Sequence, residues 1–386
     1  MAHLKRTLPR RAAALAGTAA ATTLAATALG AAPASADDDG DAYRVLVVGE
    51  TLGFRHSHID ETTHAIIDLG AEHGFTVDVW DPPNTSSGWW GPGSPGQPDL
   101  TLASTPFTSS EDLAQYATII FVSPVDNTNS LNPAVPRLLD DAELAAFQGY
   151  IRSGGGFVGL HAATDTLHTA DWYTRLVGGG ARFANHPQQQ TATMRVENPA
   201  HPSMEGVPLE WTRWDEWYNY TLNPRGDVHV LMTLDESTYS GGSMGDDHPI
   251  AWCHNFEGGR SWYQGAGHVE AAWEDPTFLT HVLGGIEWTA GLTSGGGDCV
   301  TWREVDALVD AFTPQGKGEH AALARVADRL DDAEAAVEAG NRNKALGQLR
   351  AAEKLAASLS GDDADVLAGK VADLREWQQG VLDAGL

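Results

Sequence analysis

Gly154-Gly155-Gly156-Phe157-Val158-Gly159-Leu160-His161-Ala162-Ala163-Thr164-Asp165-Thr166 is the stretch whose reading decides the fold. A helical pattern at roughly 140–152 ends in glycines, residues 157–160 make a short buried strand, and a sharp turn follows with small residues on both sides of His161. In an α/β sheet, ligands bind in the loop after a strand's carboxyl end, where backbone groups and the next helix's N-terminus converge. Gly159-Leu160-His161-Ala162-Ala163 also has the shape of a nucleophile elbow, in which small residues permit a tight strand-to-helix turn. The elbow position holds histidine rather than serine or cysteine.

Working outward, residues 44–49 (RVLVVG) form the β-branched run of a central parallel strand. Gly53-Phe54-Arg55-His56-Ser57-His58-Ile59 follows, then a helical pattern to Gly74 and a second strand at 75–80, which together make a βαβ opening. Residues 82–100, rich in Gly, Pro, Ser and Trp, form a long surface loop, and 118–122 a third buried strand. Helices alternating with short apolar strands predict a flavodoxin-like, doubly wound, mostly parallel sheet over residues 43–291. Beyond His161 the strands at 191–196, 228–234, 249–254 and 260–265 look antiparallel or irregular, and are expected to cover the sheet's carboxyl edge. A helix at 276–288 closes this domain. Residues 292–302 are a Gly-rich linker, and 303–386 switch to Ala, Leu and charged residues at heptad-like spacing, a small C-terminal helical bundle of three helices with no reactive centre.

The first 36 residues read as a signal peptide: a basic start, an Ala/Thr/Leu run, and Ala34-Ser35-Ala36 as the cleavage site. Arg10-Arg11 leaves both the Sec and the Tat route open. The mature protein is therefore expected to be secreted and not membrane-spanning. Removing the leader's four cations leaves 20 Lys and Arg against 52 Asp and Glu, a formal charge of −32. Such an acid excess repels phosphate backbones, which excludes nucleic acid as a partner and suits a neutral or cationic ligand. Cys253 and Cys299 are two cysteines in an exported chain, as a disulfide or as free thiols, Cys253 then buried in its strand.

His161 and Asp165, four residues apart, share a face if the turn opens a helix. His186 and His248 precede prolines, His268 ends a strand-like run, and Asp215-Glu216 lies among aromatic residues. Arg55 and His56 follow the first strand on the same sheet edge as His161. Histidine titrates near neutral pH and its neutral ring binds transition metals, so acid–base work and metal binding are both open. His161, Asp165 and Glu216 are the candidates for catalysis; Arg55, His56, Trp214, Trp217 and His248 for holding substrate; His161, His186 and His268 for a divalent transition metal such as zinc. Of thirteen tryptophans, most read as core. Trp214 and Trp217 flank carboxylates and offer a stacking surface for a sugar ring. Gly241-Gly242-Ser243 reads as a loop rather than a strand exit, so a serine-nucleophile elbow is not expected there.

Gly53-Phe54-Arg55-His56, residues 156–165, His186-Pro187, Asp215-Glu216-Trp217-Tyr218, residues 248–252 and Gly267-His268 together resemble the ThuA-like, trehalose-utilisation family. The resemblance implies a class I glutamine-amidotransferase-like fold and a link to carbohydrate catabolism. Amidotransferases carry cysteine at the elbow; here that position is His161, so glutamine hydrolysis through a thioester is not expected. The tail is similar to helical modules of the FIMAH type in secreted carbohydrate-active proteins, which implies attachment to cell wall or matrix. Two functions follow as expectations: an enzyme acting on a disaccharide, glycoside or keto-sugar, and a non-catalytic sugar-binding protein.

Overall fold

Unbroken apolar runs become the buried centre of a sheet, and alternating ones its half-covered extension. The chain runs β1 (Tyr43–Val48), α1 (Ile59–His73), β2 (Phe75–Trp80), the single turn α2 (Ser110–Leu113), β3 (Thr118–Val122), α3 (Asp141–Arg152), β4 (Gly156–Leu160) and α4 (Asp171–Gly178). The second half adds β5 (Phe183–Asn185), β6 (Gln190–Val196), β7 (Glu210–Asp215), β8 (Asn219–Tyr220), β9 (His229–Asp235), β10 (Pro249–Phe256), β11 (Gly259–Gln264) and α5 (Pro276–Thr289). Then come α6 (Trp302–Ala311), α7 (Lys317–Glu338), α8 (Arg342–Ala356) and α9 (Asp362–Asp383). This computed structural model describes residues 42–84, 94–126 and 136–386. The expected leader and part of the 82–100 loop lie outside the described residues.

One nine-stranded sheet has the order β2-β1-β3-β4-β11-β10-β9-β6-β7. Its first five strands are parallel. β1, β3 and β4 are fully buried over most of their length, as strands covered on both faces must be. From β10 onward every pairing is antiparallel. The later strands thus extend the sheet sideways instead of capping its carboxyl edge. The turn between β10 and β11 explains the switch: Glu257 and Gly258 both have positive φ (49° and 103°), the geometry of a tight hairpin. β6 buries Ala192, Met194 and Val196 while its intervening residues are more open, the alternation of a sheet covered on one face.

The tail holds four helices, not three. The additional one is α6, at the start of the stretch expected to be helical, where Thr301 caps it by accepting from the Glu304 amide. The Gly-rich stretch is also tied down: Asn198 Nδ2 donates to Gly296 O (2.7 Å), and the Gly296 amide donates to Glu376 Oε1 of α9 (3.1 Å). The Trp377 ring packs on His229 of β9 with centroids 4.2 Å apart, so the helices lean on the antiparallel end of the sheet. No helix among the described residues is long and apolar enough to cross a membrane.

Cys253 of β10 and Cys299 form a disulfide that closes a loop of sequence separation 46 just before α6. Chain-entropy reasoning puts its contribution at about 4 kcal/mol for a loop of this length, less any strain. A Cys253→Ser/Cys299→Ser variant is expected to lose about 2–4 kcal/mol in denaturant unfolding. Three buried histidines add a pH dependence. Burial pushes His229, His254 and His281 down to about 4, despite carbonyl hydrogen bonds that pull the other way. The unfolded chain, titrating near the ordinary 6.5, binds these protons first, so stability rises with pH in this window. The stabilisation is full above 6.5 and lost as pH falls towards 4; melting temperatures measured across that range should drop steadily.

Candidate functional site

The elbow is real in the backbone. β4 ends at Leu160, His161 opens a 3-10 turn (His161–Thr164), and its φ is +44°, a left-handed conformation that costs a non-glycine residue about 1–3 kcal/mol and persists only where the surroundings enforce it. The enforcement is visible. His161 Nδ1 donates to Gly265 O at the end of the neighbouring β11 (2.8 Å), and the Tyr263 hydroxyl donates to His161 O (2.7 Å). A Cβ on Gly159 would sit 3.1–3.2 Å from Tyr263, Phe157 and Ala163, so only small residues fit beside the turn.

Three other segments meet His161 there. The loop after β1 brings His56, the turn after β7 brings Glu216, and the turn after β11 brings His268. His161 Nε2 lies 3.2 Å from His268 Nδ1 and 3.4 Å from Glu216 Oε2; His268 Nδ1 is 3.4 Å from the same carboxylate oxygen. Rings of His56 and His161 stand 5.1 Å apart, and those of His56 and His268 5.2 Å apart. One donor atom from each of His56, His161, Glu216 and His268 lies within 4.8 Å of the others. These are residue types that hold a transition metal.

Asp215 builds this arrangement from beneath. It is fully buried, and its carboxylate accepts from the amides of Glu216, Gly267 and His268, each at 2.9 Å. Gly267, at φ +102°, supplies the bend that turns both amides inward. Electrostatics follow from burial. His56 and His58 are held well below the ordinary imidazole value by desolvation, reinforced by neighbouring imidazoles, and His268 is lowered for the same reasons against the pull of Glu216 and Asp215. Burial works to raise Glu216, but its contacts with His161, His268 and His186 outweigh that and hold it below the usual carboxylate value. Near neutral pH the site therefore presents the uncharged rings of His56, His58 and His268 beside an ionised carboxylate.

The structure brings together His56, His161, Glu216 and His268 and leaves the other candidates around or away from them. His186 reaches only the outer oxygen of Glu216 (Nδ1–Oε1, 3.1 Å) and stands outside the donor cluster. Asp165 pairs with His168 (3.1 Å) rather than with His161, because the turn is 3-10 and Asp165 falls at its end; burial raises its carboxyl despite His168. Arg55 is committed to Asp81, with two nitrogens at 3.0 and 2.7 Å, and to Asp60 (2.7 Å). Trp217 is fully buried and donates to Gln190 O (2.8 Å), so no ring face is left for a sugar. His248, also fully buried, faces Tyr218 O (2.8 Å) and Glu236 (2.9 Å), buttressing the segment behind Glu216. Trp214 is 56% exposed. A cavity of about 750 Å³ lies elsewhere, between the antiparallel strands and the helices, where Arg225 is already paired with Glu197 and Asp247.

The family model for ThuA, trehalose utilisation, matches residues 44–289. This chain belongs to the ThuA family. No curated protein matches it. Among solved structures it is similar to a ThuA-like protein from Bacteroides uniformis (24% identity, TM-score 0.48, covering 64% of this chain and 91% of that one). It is also similar to a ThuA-like protein from Parabacteroides merdae (18%, 0.44, 64% and 90%) and to a cytoplasmic protein from Salmonella typhimurium (10%, 0.42, 64% and 98%).

Two features of this ThuA chain escape a reading of residues alone. Asp215 is invisible as a scaffold, since its three amide partners are up to 53 positions away. Phe54, 46% exposed with its ring edge-on to His56 at 4.9 Å, is the exposed aromatic that touches the cluster. The alternation Phe54, His56, His58 was the available signal. Asp215→Asn turns an NH₂ group towards an amide it must accept from; the variant is expected to lose about 1–3 kcal/mol of stability in urea unfolding.

Proposed function

We propose that this ThuA-family chain is a secreted enzyme of carbohydrate catabolism, acting on a disaccharide, glycoside or keto-sugar at the His161–Glu216–His268 cluster. The observation that carries this reading is the buried, ionised carboxylate of Glu216 touching two imidazoles at the carboxyl edge of a parallel sheet, where α/β proteins bind ligands. Cleaving a glycosidic bond, or removing the proton beside a sugar carbonyl, needs a group that activates one oxygen or moves one proton at a defined point. The cluster supplies that by acid–base or metal-assisted chemistry. Three further facts support the substrate class: the family's description as trehalose utilisation, the acid excess that favours a neutral ligand, and the exposed ring of Phe54 beside the cluster. Export, with cleavage after Ala36, is supported by the leader's composition and by the Cys253–Cys299 disulfide, a bond at home in oxidising compartments. The C-terminal helices are then an attachment module for cell wall or matrix.

The test is a screen of native and 3-keto disaccharides with the purified chain. His161→Ala and Glu216→Gln should each lower kcat/KM by about 10²- to 10⁴-fold on the sugar that is turned over. Full activity in either variant contradicts the assignment. Calorimetric sugar binding without turnover of any sugar selects the non-catalytic sugar-binding protein instead.

A further inference from the structure

We propose that His56, His161, His268 and Glu216 form a binding site for one divalent first-row transition-metal ion of the zinc class. The inference deepens the reading above, and rests on the same cluster being the working site. It assigns that cluster to metal-assisted chemistry rather than to direct proton transfer by His161.

Distances come first. Zinc bonds to imidazole nitrogen and carboxylate oxygen are about 2.0–2.1 Å, and a tetrahedron of that size has edges of about 3.3–3.4 Å. His161 Nε2, His268 Nδ1 and Glu216 Oε2 form a triangle with sides of 3.2, 3.4 and 3.4 Å. That is one face of such a tetrahedron. His56 adds a fourth donor atom within 4.8 Å of the other three.

Protons point the same way. Gly265 O can only accept, so the hydrogen of neutral His161 is on Nδ1 and the lone pair of Nε2 faces the triangle. The carboxylate oxygen brings further lone pairs, and only His268 Nδ1 can bring a hydrogen. One hydrogen cannot bridge all three sides; a cation among them can. His56 gives an independent sign. Its residue is 4% exposed, yet Nδ1 has no hydrogen-bonding partner among the described residues, a rarity for a buried polar atom.

The outer contacts also match those of a metal site. Metal-bound histidines usually give their other N–H to a carbonyl or carboxylate, as His161 does to Gly265. Asp215 fixes the backbone of both Glu216 and His268. Three nitrogens and one oxygen favour zinc or its late first-row neighbours over magnesium or calcium, which prefer oxygen. The other close group of donor types, His201 with Cys253 and Cys299, holds no free thiol because both sulfurs are in the disulfide.

The experiment titrates the chelator-stripped full-length chain with Zn²⁺ by calorimetry and counts bound metal by mass spectrometry. Expected are one ion per chain, affinity lowered by more than about 100-fold in His268→Ala and in the isosteric Glu216→Gln, and a smaller loss of about 10-fold in His186→Ala, which touches only the outer oxygen of Glu216. Mg²⁺ should not compete. Melting curves without zinc show that each variant is folded, and Glu216→Gln decides the matter if His268→Ala is not. No binding at this stoichiometry, or binding untouched by both variants, overturns the site; equal loss in His186→Ala overturns the ligand set. Zinc binding without turnover of any sugar leaves the metal site standing and contradicts the proposed activity. Sugar turnover by a chain that binds no zinc does the reverse.

Discussion

The carbonyl of Gly265 holds the ring of His161 across the gap between two adjacent parallel strands. That hydrogen bond joins the fold to its chemistry. It exists because β11, arriving late in the chain, inserts beside β4 and runs parallel to it. It helps keep His161 in a left-handed conformation, and it directs the free nitrogen of the ring towards Glu216 and His268. Without β11 in that position, the elbow would be a strained turn with an unoriented side chain.

The same insertion explains why the second half of the chain reads so differently from the first. A tight hairpin at Glu257 and Gly258 returns β10 antiparallel to β11, and the sheet then grows outward through β9, β6 and β7. The last residue of β7, Asp215, and Glu216 in the turn after it reach back to the edge where β4 ends. Asp215 then spans to the turn after β11 by accepting the Gly267 and His268 amides. His56 from one end of the domain and His268 from the other reach a single point, where the one buried carboxylate of Asp215 ties the turn of His268 to that of Glu216.

Much of this was legible in the residues. The buried runs at 44–49, 118–122 and 157–160 have no polar alternation, so their place in a doubly covered sheet followed directly, and Gly159 and Ala163 marked the elbow. His161, Glu216 and His268 were recognisable as chemical candidates. What could not be read was partnership. Nothing local says that Arg55 is bound to Asp81 while its neighbour His56 faces His161, or that Trp217 turns inward while Trp214 stays exposed. An α-helical turn would put Asp165 beside His161; the tighter 3-10 turn gives it to His168. Helix α6 was hidden because its short amphipathic pattern follows a glycine-rich segment, and glycine composition says nothing about whether a segment is anchored.

The chemistry of the site turns on whether His161, His268 and Glu216 enclose a cation. Anomalous diffraction at the zinc absorption edge, from crystals grown with zinc, tests this most directly. One strong peak is expected, bounded by His161 Nε2, His268 Nδ1, Glu216 Oε2 and a ring nitrogen of His56. A peak only at surface histidines, with the triangle empty of anomalous signal, would contradict it.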